Sequence, residues 1–336
     1  MSNQNDYILS VKDLKTFFQV GKKTVKAVNG VTLNVQRGKT LGLVGESGCG
    51  KSVTAHSIMK LLPKAGKIAE GEIIFRSQGK PEVDIAKMPR TSKEIRAIRG
   101  KDISMIFQDP MSSLNPVYKI GAQIVENIQQ HEKVSKQEAM QRAIDMLAKL
   151  GIPKPEDRVK NYPHEFSGGM KQRVMIAMGM ICNPELLIAD EPTTALDVTI
   201  QAQILELMQK VQEEFGTTII LITHNMGIVA DMADDIAVMY MGKIVEFGTK
   251  EQIFLSPSHP YTKALLKSVP VLGAGDNARL EPIRGTTPDP SEMPEGCAFE
   301  PRCDFACDKC KEAPPYIDLG DGHMVRCWNC EGGQTK

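Results

Sequence analysis

The run Gly45-Glu46-Ser47-Gly48-Cys49-Gly50-Lys51-Ser52 constrains this chain more than any other stretch. It follows the apolar residues Leu41-Gly42-Leu43-Val44 and precedes a segment of helical spacing, so it predicts a strand, a phosphate-binding loop and a helix. Glycines allow successive N–H groups to point into one concavity, and the helix N-terminus adds positive potential. Lys51 would reach the β- and γ-phosphates of a nucleotide, and Ser52 would ligate Mg2+. Gly45, Ser47, Gly48, Cys49, Gly50, Lys51, Ser52 and Val53 are the expected phosphate contacts. A glycine-rich turn that binds nothing is the plainer alternative, and the strand before and helix after argue against it.

With 336 residues, 41% of them hydrophobic and 24% charged, the chain can bury a sizeable core and is long enough for two domains. Its formal net charge of +0 provides no overall basic field, so nucleic acid is not an expected partner. The opening Met1-Ser2-Asn3-Gln4-Asn5-Asp6-Tyr7 has neither a positive nor an apolar leader segment, and no apolar run approaches the roughly 18 residues of a membrane span. The expectation is a cytoplasmic protein that meets a membrane through a partner.

Ile8 to Leu14, Val28 to Val35 and Gly71 to Phe75 read as strands, and the polar stretch containing Pro81 and Pro89 as a surface loop. Phe17-Phe18, between the first two strands, is either plain packing or a purine-stacking pair. Asp102 to Gln108 reads as a strand that Asp109-Pro110 stops, leaving Gln108 at a strand exit, where ligands of open α/β sheets bind. Ile120 to Leu150 is helical in period, with Ser135-Lys136-Gln137-Glu138 as a capping box and Gly151 as terminator.

Phe166-Ser167-Gly168-Gly169-Met170 then opens another helix, and a serine with two glycines there offers free N–H groups to an anion. The apolar strand Leu186-Leu187-Ile188-Ala189 ends in Asp190-Glu191. An aspartate at that point can hold Mg2+ through water, and the adjacent glutamate can deprotonate an attacking water.

The ordered set Gly45 to Ser52, Gln108, Ser167-Gly168-Gly169, Asp190-Glu191, Ala195-Leu196-Asp197 and His224 resembles the ATP-binding cassette (ABC) ATPases over residues 1–250. The resemblance implies an α/β P-loop NTPase core: a mixed central sheet, an antiparallel β subdomain, and a helical subdomain at residues 112–182. It implies ATP and Mg2+ as ligands, with Ser52, Gln108 and Asp190 at the metal. Glu191, His224, Lys51 and Gln108 would be the catalytic groups. Within the same likeness Asp197 communicates across a dimer, His224 contacts the γ-phosphate, and Phe18 stacks on adenine. Ser167, Gly168 and Gly169 would bind the γ-phosphate of ATP held by the opposite subunit. The usual signature is Leu-Ser-Gly-Gly-Gln, whereas Phe166 and Met170 stand at its ends here, a departure familiar in the peptide-importer branch.

Beyond the expected hairpin Asp235 to Glu246, turning at Met241-Gly242, proline becomes frequent. Ser258-His259-Pro260-Tyr261-Thr262 and Gly296-Cys297-Ala298-Phe299-Glu300-Pro301-Arg302-Cys303 resemble the C-terminal extension of dipeptide and oligopeptide importer ATPases, placing a small irregular domain at 251–336. Six of eight cysteines crowd there, and in a chain without an export signal they favour a metal or iron–sulfur site over disulfides. The pair Cys307-x-x-Cys310 and Cys327-x-x-Cys330 also fits zinc. The family likeness implies a [4Fe–4S] cluster on Cys297, Cys303, Cys310 and Cys327, with Cys307 and Cys330 as extras.

Such a protein would energise peptide import at the cytoplasmic face of the cell membrane as a peripheral subunit. Its partners would be a second ABC ATPase subunit in a heterodimer, two integral-membrane permease subunits and, indirectly, an extracytoplasmic peptide-binding protein. The rival reading is a soluble ABC ATPase acting on ribosomes or DNA. One phosphate loop, one signature and a balanced charge favour the importer.

Overall fold

Thr40–Val44 is buried at every position, as expected of a central strand covered on both faces, and the molecule is layered around it. The computed structural model describes residues 6–109, 113–194, 196–268 and 283–328. In chain order the strands are β1 (Tyr7–Val20), β2 (Lys23–Gln36), β3 (Thr40–Val44), β4 (Gly66–Phe75), β5 (Val83–Asp84), β6 (Ile103–Ile106), β7 (Leu186–Asp190), β8 (Thr218–Thr223), β9 (Asp235–Tyr240), β10 (Lys243–Thr249), β11 (Tyr316–Asp318) and β12 (Met324–Arg326). The helices are α1 (Lys51–Ile58), α2 (Lys93–Ile98), α3 (Ile120–His131), α4 (Lys136–Lys149), α5 (Pro155–Arg158), α6 (Gly168–Met180), α7 (Val198–Phe215), α8 (Met226–Met232), α9 (Lys250–Leu255) and α10 (Pro260–Lys267).

The described strands form two sheets. One is antiparallel in the order β2-β1-β4-β5; the other is mixed, in the order β11-β12-β10-β9-β3-β8-β7-β6. Strands β9, β3, β8, β7 and β6 run parallel, while β10, β12 and β11 continue the sheet in antiparallel pairs. A core built from Ile8, Leu14, Val31, Leu43, Ile58, Ile73, Phe75 and Ile188 fills the space between the antiparallel sheet and the central one. On the other side, Ile124, Ile128, Ala143 and Leu147 of α3 and α4 pack with Val174 and Ile176 of α6 and with Leu187 and Leu221.

Several elements depart from the sequence reading. Strands β1 and β2 extend well past Leu14 and Val28, because bulges absorb the polar interruptions, and Phe17-Phe18 therefore lies within β1. The stretch read as a loop contains β5 and α2, organised by Asp84 and Ser92 as caps and by the buried Ile85, Ile95 and Ile98. The helical region is two helices, with Ser135 accepting the N–H of Glu138 at the start of the second. Pro110, expected to stop a strand, lies outside the described residues.

The C-terminal extension is joined to the cassette more closely than a separate small domain would be. Met324 and Val325 pair with Phe247 and Glu246 of β10. Tyr240, Tyr261 and Phe299 form one aromatic cluster with ring centroids 4.6 to 5.4 Å apart. The fully buried Glu246 carboxylate accepts N–H bonds from Ser258 (2.6 Å) and His259 (2.9 Å) and meets His323 Nε2 at 2.8 Å. A buried carboxylate is tolerable only with such partners, so Glu246 fixes where the extension begins.

Candidate functional site

Between β3 and α1 the chain must turn sharply beside the hairpin β9–β10, and glycine is what permits it. Gly45 has φ +152 and a Cβ there would meet Met239 O at 2.1 Å; Gly50 has φ +109 and a Cβ would meet Ala27 O at 2.4 Å. Ser47 and Gly48 are exposed at the tip, Cys49 is buried beneath it, and Val53 packs against the core. Lys51 is almost wholly buried, and its Nζ donates to Gly45 O (2.7 Å) and Glu46 O (3.0 Å), so the ammonium lies inside the curve of the loop.

The acidic end of β7 meets this loop. Ser52 Oγ donates to Asp190 Oδ1 at 3.0 Å, and burial pushes the Asp190 carboxyl up despite that bond. The next residue, Glu191, has φ +46, a left-handed conformation uncommon outside glycine, and this turns its side chain toward the strand exits on either side. Its Oε2 accepts Gln108 Nε2 (2.9 Å) and Thr194 Oγ1 (2.9 Å), and its Oε1 lies 3.1 Å from His224 Nδ1. Burial raises the Glu191 carboxyl, but hydrogen bonding with His224 and Thr194 outweighs it and holds the group below the usual carboxylate range. Lys51, Ser52, Gln108, Asp190, Glu191 and His224 are thus gathered into one site.

A second group forms elsewhere. Ser167 caps α6 by accepting the N–H of Met170 (3.4 Å), Gly168 lies against Leu196, and a Cβ on Gly169 would meet Ile200 at 2.8 Å. Asp197 caps α7 through the N–H of Ile200 at 2.9 Å, so the Ser-Gly-Gly turn and Asp197 are packed side by side. Ala195, of the same expected motif, lies outside the described residues. Phe18, on β1, packs its ring where a Cβ on Gly66 would stand, on the antiparallel sheet.

Three participants escaped the sequence reading. Thr194 bonds Glu191 from three residues downstream, a spacing legible once the left-handed turn is known. Arg302 and Tyr261 reach Glu46 of the loop from more than 200 residues away (Nη1 to Oε2 2.6 Å; Glu46 N to Tyr261 Oη 2.9 Å), and no local signal announces that.

The metal expectation for the extension is not supported as a metal site: among the described residues no three His, Cys, Asp or Glu side chains are placed to hold a metal ion. Cys297, Cys303, Cys310 and Cys327 nevertheless line one small cavity, with Phe299, Phe305 and Trp328. Exposed Cys307 has its Sγ 3.7 Å from that of Cys310, and Cys330 lies outside the described residues.

A phosphate loop, a paired acidic strand end, a glutamine and a histidine at neighbouring strand exits, and a mixed sheet flanked by antiparallel strands and helices define an ABC-type ATPase cassette. The family model described as ABC transporter matches residues 28–194, and the one described as Oligopeptide/dipeptide transporter, C-terminal region, matches 245–310. The chain is 50% identical over 323 residues to dipeptide transport ATP-binding protein DppD of Bacillus subtilis, covering 96% of this chain and 94% of that protein. It is 51% identical to oligopeptide transport ATP-binding protein OppD of the same organism, covering 96% and 88%. Among solved structures, a dimeric post-hydrolysis state of the ATP-binding cassette MJ0796 bound to ADP and Pi aligns with a TM-score of 0.63 at 25% identity, covering 72% of this chain and 98% of that one. The chain belongs to the ABC transporter family, in the branch of peptide-transport ATP-binding proteins, and is an ATP-binding, ATP-hydrolysing subunit. Among its described residues no helix is long and apolar enough to cross a membrane.

Proposed function

We propose that this chain couples ATP hydrolysis to uptake of dipeptides or oligopeptides. In that role it sits peripherally on the cytoplasmic face of the cell membrane, paired with a second ABC ATPase subunit beneath two integral-membrane permease subunits, which an extracytoplasmic peptide-binding protein supplies. Residues 1–250 would be the nucleotide-binding domain, with its helical part near 112–182, and 251–336 the peptide-importer extension. The names of its relatives and the matched C-terminal region support the peptide-import part of this reading, and the Glu191 cluster beside the phosphate loop is the observation that carries its ATP-hydrolysing part. A groove lined by Phe107, Gln123, Asn127, Met175 and Met178, next to Gln108, offers a surface on which a permease segment could rest.

The chemistry follows from the residues. On nucleotide arrival Lys51 exchanges the Gly45 and Glu46 carbonyls for β- and γ-phosphate oxygens, with Gly45, Ser47, Gly48, Cys49, Gly50, Ser52 and Val53 contributing backbone contacts, and Phe18 stacks on the adenine. The Ser52 hydroxyl and the Asp190 carboxylate, 3.0 Å apart, would hold Mg2+ together with the amide oxygen of Gln108, all of them oxygen donors that suit that ion. When bound, that ion neutralises charge developing on the transferred phosphoryl group. Glu191, ionised at neutral pH, accepts the proton of the attacking water, while His224 and Gln108 hold its carboxylate in place. Ser167, Gly168, Gly169 and Asp197 act across the interface on the partner's nucleotide.

For the extension, the four thiols of Cys297, Cys303, Cys310 and Cys327, which line one cavity, would be the ligands of a [4Fe–4S] cluster. Such a cluster would supply either a covalent staple or an electron-transfer centre. The test of function is reconstitution with candidate permeases. ATP-dependent peptide uptake supports the reading; peptide-independent ATPase activity stimulated by RNA or DNA would point to the soluble alternative.

A further inference from the structure

The phosphate loop is gripped by a residue from outside the cassette. The Arg302 side chain is 4% exposed, and its fork meets the Glu46 carboxylate twice, Nη1 to Oε2 at 2.6 Å and Nη2 to Oε1 at 2.9 Å. The guanidinium is itself pinned: Nε donates to Arg284 O at 2.9 Å, Nη1 reaches Tyr240 Oη at 3.3 Å, and the rings of Tyr240 and Phe299 stand 5.8 and 5.9 Å away. Thr287 Oγ1 adds a 3.2 Å bond to Glu46 Oε2, and Tyr261 Oη accepts the Glu46 N–H at 2.9 Å. The carbonyl of the same residue holds the Lys51 ammonium at 3.0 Å. Glu46 is therefore fixed at its N–H and carboxylate by the extension, while its carbonyl faces the lysine of the nucleotide site. A bidentate arginine pair imposes orientation as well as charge, and a lysine or methionine cannot reproduce it.

We propose that Arg302 is a positioning residue for ATP binding: through Glu46 it holds the phosphate loop in its anion-binding curve, so the C-terminal extension sets the nucleotide affinity of the cassette. This rests on the loop being the ATP site. Breaking the pair weakens MgATP binding and raises KM, because the loop must be ordered at the expense of binding. It leaves kcat nearly unchanged, because Glu191, His224 and Gln108 do not touch Arg302.

The experiment measures MgATP dissociation constants by calorimetry on the full chain for wild type, Arg302→Met, Arg302→Lys, Glu46→Gln and the Arg302→Met/Glu46→Gln double variant, with kcat and KM on the assembled transporter. The expected result is a rise of about ten-fold in Kd for Arg302→Met, a smaller one for Arg302→Lys and Glu46→Gln, and a double variant no worse than Arg302→Met alone, as one shared interaction requires. If Arg302→Met loses its near-ultraviolet circular dichroism, Arg302→Lys and Glu46→Gln decide. Affinities within two-fold of wild type, singles whose effects multiply in the double, or a fall in kcat at unchanged KM overturn the inference. A wild-type chain that fails to bind MgATP overturns the reading beneath it.

Discussion

His224 Nδ1 lies 3.1 Å from Glu191 Oε1, so a residue at the end of β8 orients a carboxylate at the end of β7. Parallel neighbours end at the same edge of a sheet, and that edge is where the phosphate loop leaves β3. The exposed histidine thus acquires a role through its neighbour.

Glu191→Gln removes the proton acceptor while keeping the side-chain volume. Hydrolysis should slow by about two orders of magnitude or more, with MgATP binding retained. Single-turnover hydrolysis in the assembled complex, beside nucleotide titration, checks both halves; near wild-type turnover would show that another group takes the proton.

Lys51→Ala should abolish measurable MgATP affinity without unfolding the chain. The ammonium, itself almost wholly buried within the loop, contributes charge-assisted bonds, and alanine leaves phosphate charge uncompensated at a cost of several kcal/mol. Calorimetry and far-ultraviolet circular dichroism measure the two outcomes.

His259 carries a pH dependence. Complete burial pushes its imidazole down to about 3, while the unfolded chain titrates near the ordinary 6.5. Its Nδ1 accepts the Tyr261 N–H at 3.0 Å, which requires the neutral ring. Below pH 6.5 the unfolded state therefore binds the extra proton, so stability is full above that pH and is lost progressively as pH falls toward 3. The loss between 6.5 and 5 should be about 2 kcal/mol. Denaturant unfolding of wild type and His259→Asn across that range should show a steeper slope in wild type, the remainder in the variant coming from other shifted groups such as His131.

Anaerobic purification should yield about four irons and four sulfides per chain. Serine at Cys297, Cys303, Cys310 or Cys327 should lose iron, and serine at Cys307 should retain it, even though that sulfur stands 3.7 Å from Cys310 Sγ. Stoichiometric zinc without iron would replace the cluster assignment; iron loss at Cys307 but not at Cys303 would redraw the ligand set.

Local chemistry carried much of this molecule. The spacing of Gly45, Gly48, Gly50, Lys51 and Ser52 dictated the loop, because only glycine tolerates those backbone angles and close approaches. The capping by Ser135 and Ser167, the hairpin turn at Met241-Gly242 and the acidic end of β7 were legible for the same reason: each depends on residues within one turn or strand of one another. Tertiary structure alone decided what lies across the chain. The Gln108–Glu191–His224 cluster exists because β6, β7 and β8 are neighbours in a parallel sheet, a matter of strand order that periodicity does not encode. The extension's entry into that sheet through β12, and the reach of Arg302 to Glu46, join residues separated by 79 and 256 positions respectively. Burying a carboxylate or a guanidinium is unfavourable until its partner arrives, and the partner's arrival is a property of the fold.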